Sequence, residues 1–319
     1  MKILIYGAGV IGCTYGWQLA KAGNDVSIFV RKGKKQTLEE NGINIYCTDL
    51  RDRKKIIQDI TFRPKVIDTL TVDNDFDYII VTTNNLNLDN VLTDLKETAG
   101  KADILFFQNV WINDVEKIKT HLSPEQYFFG FPFMAGGGRD ENGINSIISG
   151  SKYSYTMLGE ATGEITPRVK RIANILSDAN MKPFISNQII TWLIPHYAFI
   201  VGISAGIITK GNMSNFLKDS KTVKNSILAI RDGFHVCEAM GIDPKKEKVN
   251  KLYYLPLFIS SFIVKKVFSD AAMQAMIDGY LKNSSYEIKG MIENIIQSAK
   301  TYNIEIPYLI TFKNEIKHY

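Results

Sequence analysis

The chain of 319 residues has only three cysteines, Cys13, Cys47 and Cys237, with no C-x-x-C pair and no metal-ligand spacing. That excludes a disulfide-stapled scaffold and a structural metal site, and it points to free thiols in a reducing, cytoplasmic setting. There is no internal repeat and no low-complexity linker. No secretory signal pattern is expected at the start, because the first apolar stretch is short and interrupted by glycine. Excess charge of one sign is also scarce: the net charge is +5 and the pI about 8.8. Clusters of base occur at Arg31, Lys32, Lys34 and Lys35 and at Arg51, Arg53, Lys54 and Lys55. No nucleic-acid-binding motif accompanies them, so small anions explain them more simply. A nucleic-acid reader would instead show affinity that falls steeply with salt. A single long apolar run, IITWLIPHYAFIVGISAGII at 189–208, holds 20 residues without a formal charge. Its length would span a bilayer. Pro195 in its middle, His196 and the lack of a basic flank before it argue for a buried helix of a second domain, not a membrane segment.

What is present begins at once. The segment KILIYGAGVIG places Gly7, Gly9 and Gly12 in G-x-G-x-x-G spacing. Ile3, Leu4, Ile5 and Tyr6 form an apolar strand before it, 10–22 reads as a helix, Gly23-Asn24 stops that helix, and 26–30 reads as a second strand. Strand, glycine turn, helix, strand is the order a dinucleotide-binding unit requires. Gly7 permits the tight turn, Gly9 lets backbone approach a pyrophosphate, and Gly12 lets the helix lie close to the strand. The free N–H groups at the helix start, from Ala8 through Val10 and Ile11, then face the phosphates. The bland alternative is a glycine-rich turn that holds no ligand.

The end of the second strand selects the cofactor. NAD sites place Asp or Glu there for the ribose 2′-hydroxyl. Here Arg31 stands 19 residues after Gly12. A guanidinium pairs with a 2′-phosphate, which a carboxylate would repel. The reading is NADP(H); the alternative is a solvated basic loop.

Strands and helices alternate through the first half, the signature of an α/β, doubly wound sheet. Strands are expected at 43–47 after an Asn41-Gly42 turn, and at 78–83, 102–107, 127–134, 153–158 and 183–186. Gly136-Gly137-Gly138 and Asn142-Gly143 read as turns. Helices are expected at 86–98 and from Pro167, capped by Thr166, to about 179. From Gln188 the pattern becomes helical, in pieces at 188–208, 214–240, 251–268, 270–282 and 285–302. The boundary is placed at 185, giving domains 1–185 and 186–319.

With these motifs in hand, the sequence resembles the ketopantoate reductase (2-dehydropantoate 2-reductase) family over essentially its whole length. The resemblance rests on GAGVIGCTYGWQLAKAGNDVSIFVR, DYIIVTTNN, FFQNV, GFPFMAGGGRDENG, TMLGE, the helix of Trp192, and SSYEI. It implies a Rossmann domain joined to an all-helical domain like the C-terminal part of 6-phosphogluconate dehydrogenase. It also implies an active site in the cleft between them, NADPH as hydride donor, a 2-keto acid as substrate and a place in pantothenate biosynthesis. The helical domain is also a candidate for homodimer formation. By resemblance the cofactor site comprises Gly7, Ala8, Gly9, Val10, Ile11, Gly12, Arg31, Thr83, Asn84, Asn109, Gly136 and Glu287. Asn109 ends a strand beside nicotinamide and substrate, although the family's next glycine is Val110. Glu287 matches the glutamate of the family's T-E-I-D motif. No metal is implied.

The substrate side departs from the family. Its helix reads W-x-K-L-x-x-N-x-x-x-N, with the lysine supplying the proton. Aligned on Trp192, that lysine is Ile194 and the asparagines are Ala198 and Gly202. A second lysine becomes Asn84, and a carboxylate-binding serine becomes Ala275. Hydride addition to a carbonyl builds charge on oxygen, and losing one donor to that charge costs about 10²–10³ in turnover. The expected cleft is therefore apolar and roomy. Substitute donors are Tyr197, three residues from Ile194 and near its helix face, and Glu287 with a carboxyl raised by burial. His196 is expected to face elsewhere, and Arg139 to meet an anionic substrate or solvent. Three functions remain open: a ketopantoate-type reductase, a reductase of a more apolar carbonyl substrate, and a non-catalytic NADP(H)-binding protein.

Overall fold

The structure, a computed structural model, describes residues 1–51, 55–152, 154–282 and 284–316. Arg53 and Lys54 of the second basic cluster, and Tyr153 at the head of one expected strand, lie outside the described residues. The chain divides into two compact units, Met1–Gln108 with Asp114–Ile189, and Asn109–Asn113 with Ile190–Tyr319.

In the first unit the strands and helices run β1 (Lys2–Tyr6), α1 (Val10–Lys21), β2 (Asp25–Phe29), α2 (Lys35–Asn41), β3 (Ile43–Asp49), β4 (Ile56–Phe62), β5 (Lys65–Ile67), β6 (Tyr78–Val81), α3 (Leu88–Thr98), β7 (Asp103–Phe107), α4 (Ile112–His121), β8 (Tyr127–Pro132), β9 (Ala135–Arg139), β10 (Ile144–Ile148), β11 (Thr156–Gly159), α5 (Pro167–Asp178) and β12 (Pro183–Ile185). Helix α4 starts on the 109–113 segment. The main sheet has the order β12-β11-β8-β7-β6-β1-β2-β5. Every pairing in it is parallel except β11 with β8. Its central strands are continuous apolar runs, buried from end to end in YIIV of β6, as a sheet covered on both faces requires. Chain order reverses at β1, which lies between β2 and β6, and that reversal opens a crevice at the carboxyl ends of the strands. Arg168 at the start of α5 binds Glu160 through Nε and Nη2 at 2.7 and 2.6 Å and the Tyr127 carbonyl at 2.7 Å, fastening α5 to β8.

A second sheet, β4-β3-β10-β9, corrects the sequence reading at two points. The triple glycine is not a turn: it is the body of β9, with Gly136 opposite Ile147 and Gly138 opposite Asn145. A Cβ on Gly137 would stand 2.0 Å from the Asn145 carbonyl oxygen, so close strand approach requires the glycine there. Arg51, grouped by sequence with anion-binding base, is buried instead. It pairs with Asp49 at 2.6 Å, donates to Gln18 of α1 at 2.9 Å, and reaches the carbonyls of Ala179 and Asn180 beyond α5. A buried Thr14–Ser146 hydroxyl pair at 2.8 Å ties α1 to β10.

The second unit holds α6 (Ile189–Lys210, whose first residue belongs to the first unit), α7 (Met213–Lys218), α8 (Ser220–Ala239), α9 (Leu257–Val267), α10 (Ala271–Leu281), α11 (Ser285–Thr301) and α12 (Pro307–Glu315). The expected helix 214–240 is broken at Asp219, whose carboxylate accepts from the N–H groups of Lys221 and Thr222 and so starts α8. Pro256 divides 251–268 between a 3₁₀ segment and α9. Helix α6 is long and apolar enough to cross a membrane, but 67% of its apolar window is buried inside the protein. It crosses α8 at close range. A Cβ on Gly202 would lie 2.6 Å from Ile230, and one on Gly206 2.0 Å from Ser226 Oγ. The 109–113 segment joins this unit through fully buried Trp111, which donates to Ser298 Oγ at 2.8 Å and packs on Tyr197.

Asp232 of α8 accepts from the N–H groups of Tyr308 and Leu309 at 2.8 and 3.1 Å, anchoring the start of α12. Burial outweighs those hydrogen bonds and raises its carboxyl to about 6. A raised carboxyl favours the folded state fully below the unfolded value of about 3.9, and that contribution is lost as pH climbs through about 6. Relative to Asp232→Asn, the native chain should therefore lose up to about 3 kcal/mol in denaturant unfolding between about pH 4 and pH 7. A difference that stays constant over that range would contradict the assignment.

Candidate nucleotide-binding site

The glycine loop follows β1 directly. Gly7 adopts φ +122°, open to glycine and closed to other residues. Gly9 caps α1 with extended backbone and no side-chain bond, and Cys13 N–H returns to its carbonyl at 2.9 Å. Gly12 faces β1 so tightly that a Cβ would lie 2.2 Å from the Gly7 oxygen, 2.5 Å from Thr82 Oγ1 and 2.8 Å from Ile5. Thr82, just past β6, donates to that Gly7 carbonyl at 3.0 Å. Gly9 differs: apart from its chain neighbours, nothing among the described residues lies within 4 Å of where its Cβ would be. Its missing side chain serves no contact inside the protein, which fits a loop kept bare for another molecule. The first turn of α1 carries no acidic residue, so the amides around Val10 and Ile11 face no competing carboxylate. A dinucleotide pyrophosphate fits this loop on both counts.

Arg31 is exposed two residues past the end of β2. The expected basic loop is shorter than the sequence suggests. Lys34 N–H bonds the Arg31 carbonyl at 3.1 Å, and Lys35 opens α2 and pairs with Glu39 at 3.9 Å. No carboxylate occupies positions 30–35, as a 2′-phosphate partner requires.

At the neighbouring strand ends, Thr83 is held by Gln108, whose Nε2 donates to its carbonyl at 2.8 Å and its hydroxyl at 3.1 Å. Asn84 is exposed and its side-chain oxygen accepts from Asn87 at 3.1 Å. Asn109 is half-buried in the segment that groups with the helical unit. Gly136 lies in β9 of the small sheet. The structure adds two residues to this region. Gln108, within the FFQNV motif, braces Thr83. Arg139 is not a free surface cation: its Nη1 donates to the Ala8 carbonyl at 2.9 Å. The signal in the sequence is the triple glycine before Arg139: as a strand and not a turn, it carries Arg139 toward the loop.

In the helical unit, Glu287 stands in the first turn of α11, and burial raises its carboxyl while the Tyr280 hydroxyl, donating at 3.2 Å, opposes that shift. Tyr197 requires a correction. It is fully buried, donates its hydroxyl to the Met291 carbonyl at 3.4 Å and accepts from Asn294 at 3.0 Å, so its proton is committed inside the core. The apolar, roomy lining also requires one. Ile194 is fully buried, Ala198 packs on α8 where a Cβ on Gly233 would meet it at 2.7 Å, and Gly202 meets Ile230. Their small or apolar character serves the α6–α8 crossing. Ala275 is exposed on α10. His196 stacks on Trp192 with ring centroids 4.5 Å apart, and burial lowers it to about 3, keeping the imidazole neutral at pH 7. Among the described residues no cluster of three or more His, Cys, Asp or Glu is placed to hold a metal. All three cysteines are buried and free.

The loop, the switch-point sheet and the helical second unit define a Rossmann-type oxidoreductase architecture. Residues 3–161 match the family model of ketopantoate reductase PanE/ApbA. The chain belongs to the ketopantoate reductase family. It is 26% identical over 210 residues to the uncharacterized oxidoreductase YkpB of Bacillus subtilis, covering 66% of this chain and 65% of that protein. It is 24% identical over 197 residues to the 2-dehydropantoate 2-reductase of Pyrococcus abyssi, covering 60% and 59%. The match thus spans somewhat under two thirds of each curated relative. Among solved structures, D-mandelate dehydrogenase with NADH and anilino(oxo)acetate aligns at TM-score 0.75 and 19% identity over 99% of this chain and 97% of that one. The 2-dehydropantoate 2-reductase of Geobacter metallireducens aligns at TM-score 0.74 and 15% identity over 99% of each chain. Both likenesses carry the fold.

Because Gly12 abuts backbone and not a flexible side-chain tip, Gly12→Ala should destabilise the protein by about 1–3 kcal/mol through overpacking. Thermal melting of the variant checks this, and a melt that coincides with the native one would contradict the close approach of α1 to β1.

Proposed function

We propose that the protein is an NADPH-dependent reductase of a small carbonyl substrate of the 2-keto acid type, with ketopantoate itself a poor substrate. The observation that carries this reading is the bare loop at Gly9, open at the start of an acid-free helix, with Arg31 beyond the adjacent strand. The loop amides hold the pyrophosphate and Arg31 pairs with the 2′-phosphate. NADPH, when bound, supplies a hydride to the carbonyl carbon.

The chain's own residues must then supply a proton to the carbonyl oxygen, so that one C–H and one O–H bond form as C=O becomes C–OH. Glu287 is the group that family resemblance assigns beside the nicotinamide, and burial raises its carboxyl above the ordinary value, which favours the protonated, donating form. Asn109 is the neutral donor assigned by family resemblance to orient the carbonyl. No residue stands in for the family's lysine on α6. Ile194 is packed in the core, which supports slow ketopantoate turnover.

Two measurements test the reading. Steady-state NADPH oxidation over a panel of 2-keto acids should show turnover with at least one member and ketopantoate well below the usual enzyme range of roughly 1–10³ per second. Ile194→Lys should not rescue ketopantoate and should lower stability, because it buries an ammonium without a partner. Ketopantoate turnover within that range by the native chain would overturn the substrate assignment. Separately, Arg31→Ala should abolish the preference for NADPH over NADH, a loss of about 1.5–3 kcal/mol. Equal affinity for the two nucleotides in the native chain would refute the role of Arg31. The overexpressed protein should be recovered in the supernatant without detergent if helix α6 is buried in its own unit, and recovery only with the membrane pellet would contradict that burial.

A further inference from the structure

Arg139 ends β9, in the sheet that packs on α1, and remains exposed at its side chain. From there its Nη1 reaches across 131 positions of sequence to the Ala8 carbonyl. Ala8 lies between Gly7 and Gly9, at the crest of the loop. The guanidinium is also close enough to the first turn of α1 for its charge to oppose the burial that raises the Cys13 thiol.

Two neighbouring facts give that contact a purpose beyond bracing. The guanidinium groups of this unit with little exposed side chain, Arg51 and Arg168, are taken up by Asp49 and Glu160. Arg139 has no carboxylate partner among the described residues, and the adjacent Asp140 is occupied by the N–H groups of Asn142 and Gly143 and the amide of Asn145. Of the five N–H donors of a guanidinium, the bond to Ala8 uses one. The carbonyl it holds would otherwise present partial negative charge beside the place where an anion approaches Gly9.

We infer that Arg139 is a second cofactor cation: it fixes the glycine loop through Ala8 and binds the pyrophosphate of a dinucleotide seated there with its remaining donors. The assignment rests on the dinucleotide reading above. Pyrophosphate is the group chosen because the loop and the start of α1 lie at the end of β1, whereas Arg31 lies at the end of β2, where the adenosine ribose is read. Arg31 then sets which dinucleotide is preferred, and Arg139 sets how tightly either is held.

The test titrates native protein, Arg139→Ala and Arg139→Lys with NADPH, NADH, ADP and 2′-AMP, alongside thermal melts without ligand. Arg139→Ala should weaken NADPH, NADH and ADP by a similar factor, about tenfold or more, as expected for charged hydrogen bonds. The ratio of NADPH to NADH affinity should not change, 2′-AMP, which lacks a pyrophosphate, should keep its native affinity, and Arg139→Lys should recover part of the loss. Unchanged binding of both dinucleotides by Arg139→Ala overturns the assignment alone. A loss confined to NADPH and 2′-AMP would make Arg139 a 2′-phosphate ligand, and an equal loss for all four ligands would reduce it to a brace of the loop. If the native protein binds none of the four, the dinucleotide reading falls and takes this assignment with it.

Discussion

The approach of α1 to β1 at Gly12 is the constraint on which the first unit depends. With no Cβ at that position, the helix start lies against the Gly7 carbonyl and Thr82, at the carboxyl edge of the main sheet. The rest of α1 is then placed to receive a second sheet, through Thr14 on Ser146 and Gln18 on Arg51. That second sheet returns the contact by bringing Arg139 back to Ala8. A larger residue at Gly12 would tilt the helix away from β1 and disturb the anion-facing amides and the small sheet together.

The site is electrostatically one-sided. The loop offers amides and no first-turn acid, Arg31 stands beyond β2, and Arg139 bonds the loop itself. The other arginines of the unit that reach the interior are neutralised by carboxylates and help to hold elements together. Base that is free to meet an anion is thus separated from base that is structural. The separation is visible in geometry and not in composition. In the helical unit the corresponding economy is steric: small residues on α6 let it press on α8, and the hydroxyl of Tyr197 closes a bond inside the core.

The main sheet, apart from its three-residue edge strand β5, and the glycine turn were legible because they follow from local rules. Continuous apolar runs mark buried parallel strands, and glycine spacing marks the loop. The helix periods of the second half were legible for the same reason, except for the breaks at Asp219 and Pro256 and the short helix α12, which no expected piece covers. The small sheet was not legible. Its pairing of β10 with β3 joins segments about a hundred residues apart, and its glycine strand β9 looks like a turn. That one misreading hid the place of Arg139. Arg51 was misassigned because a buried ion pair and an exposed anion site use the same residue type. In sequence the α6 positions 194, 198 and 202 look like a vacated substrate lining, since sequence alone does not tell which helix face meets another helix.

The measurement that tests the account most directly is the NADPH affinity of Gly9→Ala set against its thermal midpoint. The φ of −79° at Gly9 suits alanine, and beyond its chain neighbours the added methyl meets nothing among the described residues. The account predicts an unchanged midpoint together with a severe loss of NADPH binding, because the methyl occupies the space where the pyrophosphate meets the backbone. Native-like NADPH affinity in a stable Gly9→Ala protein would show that the loop is not where the dinucleotide sits.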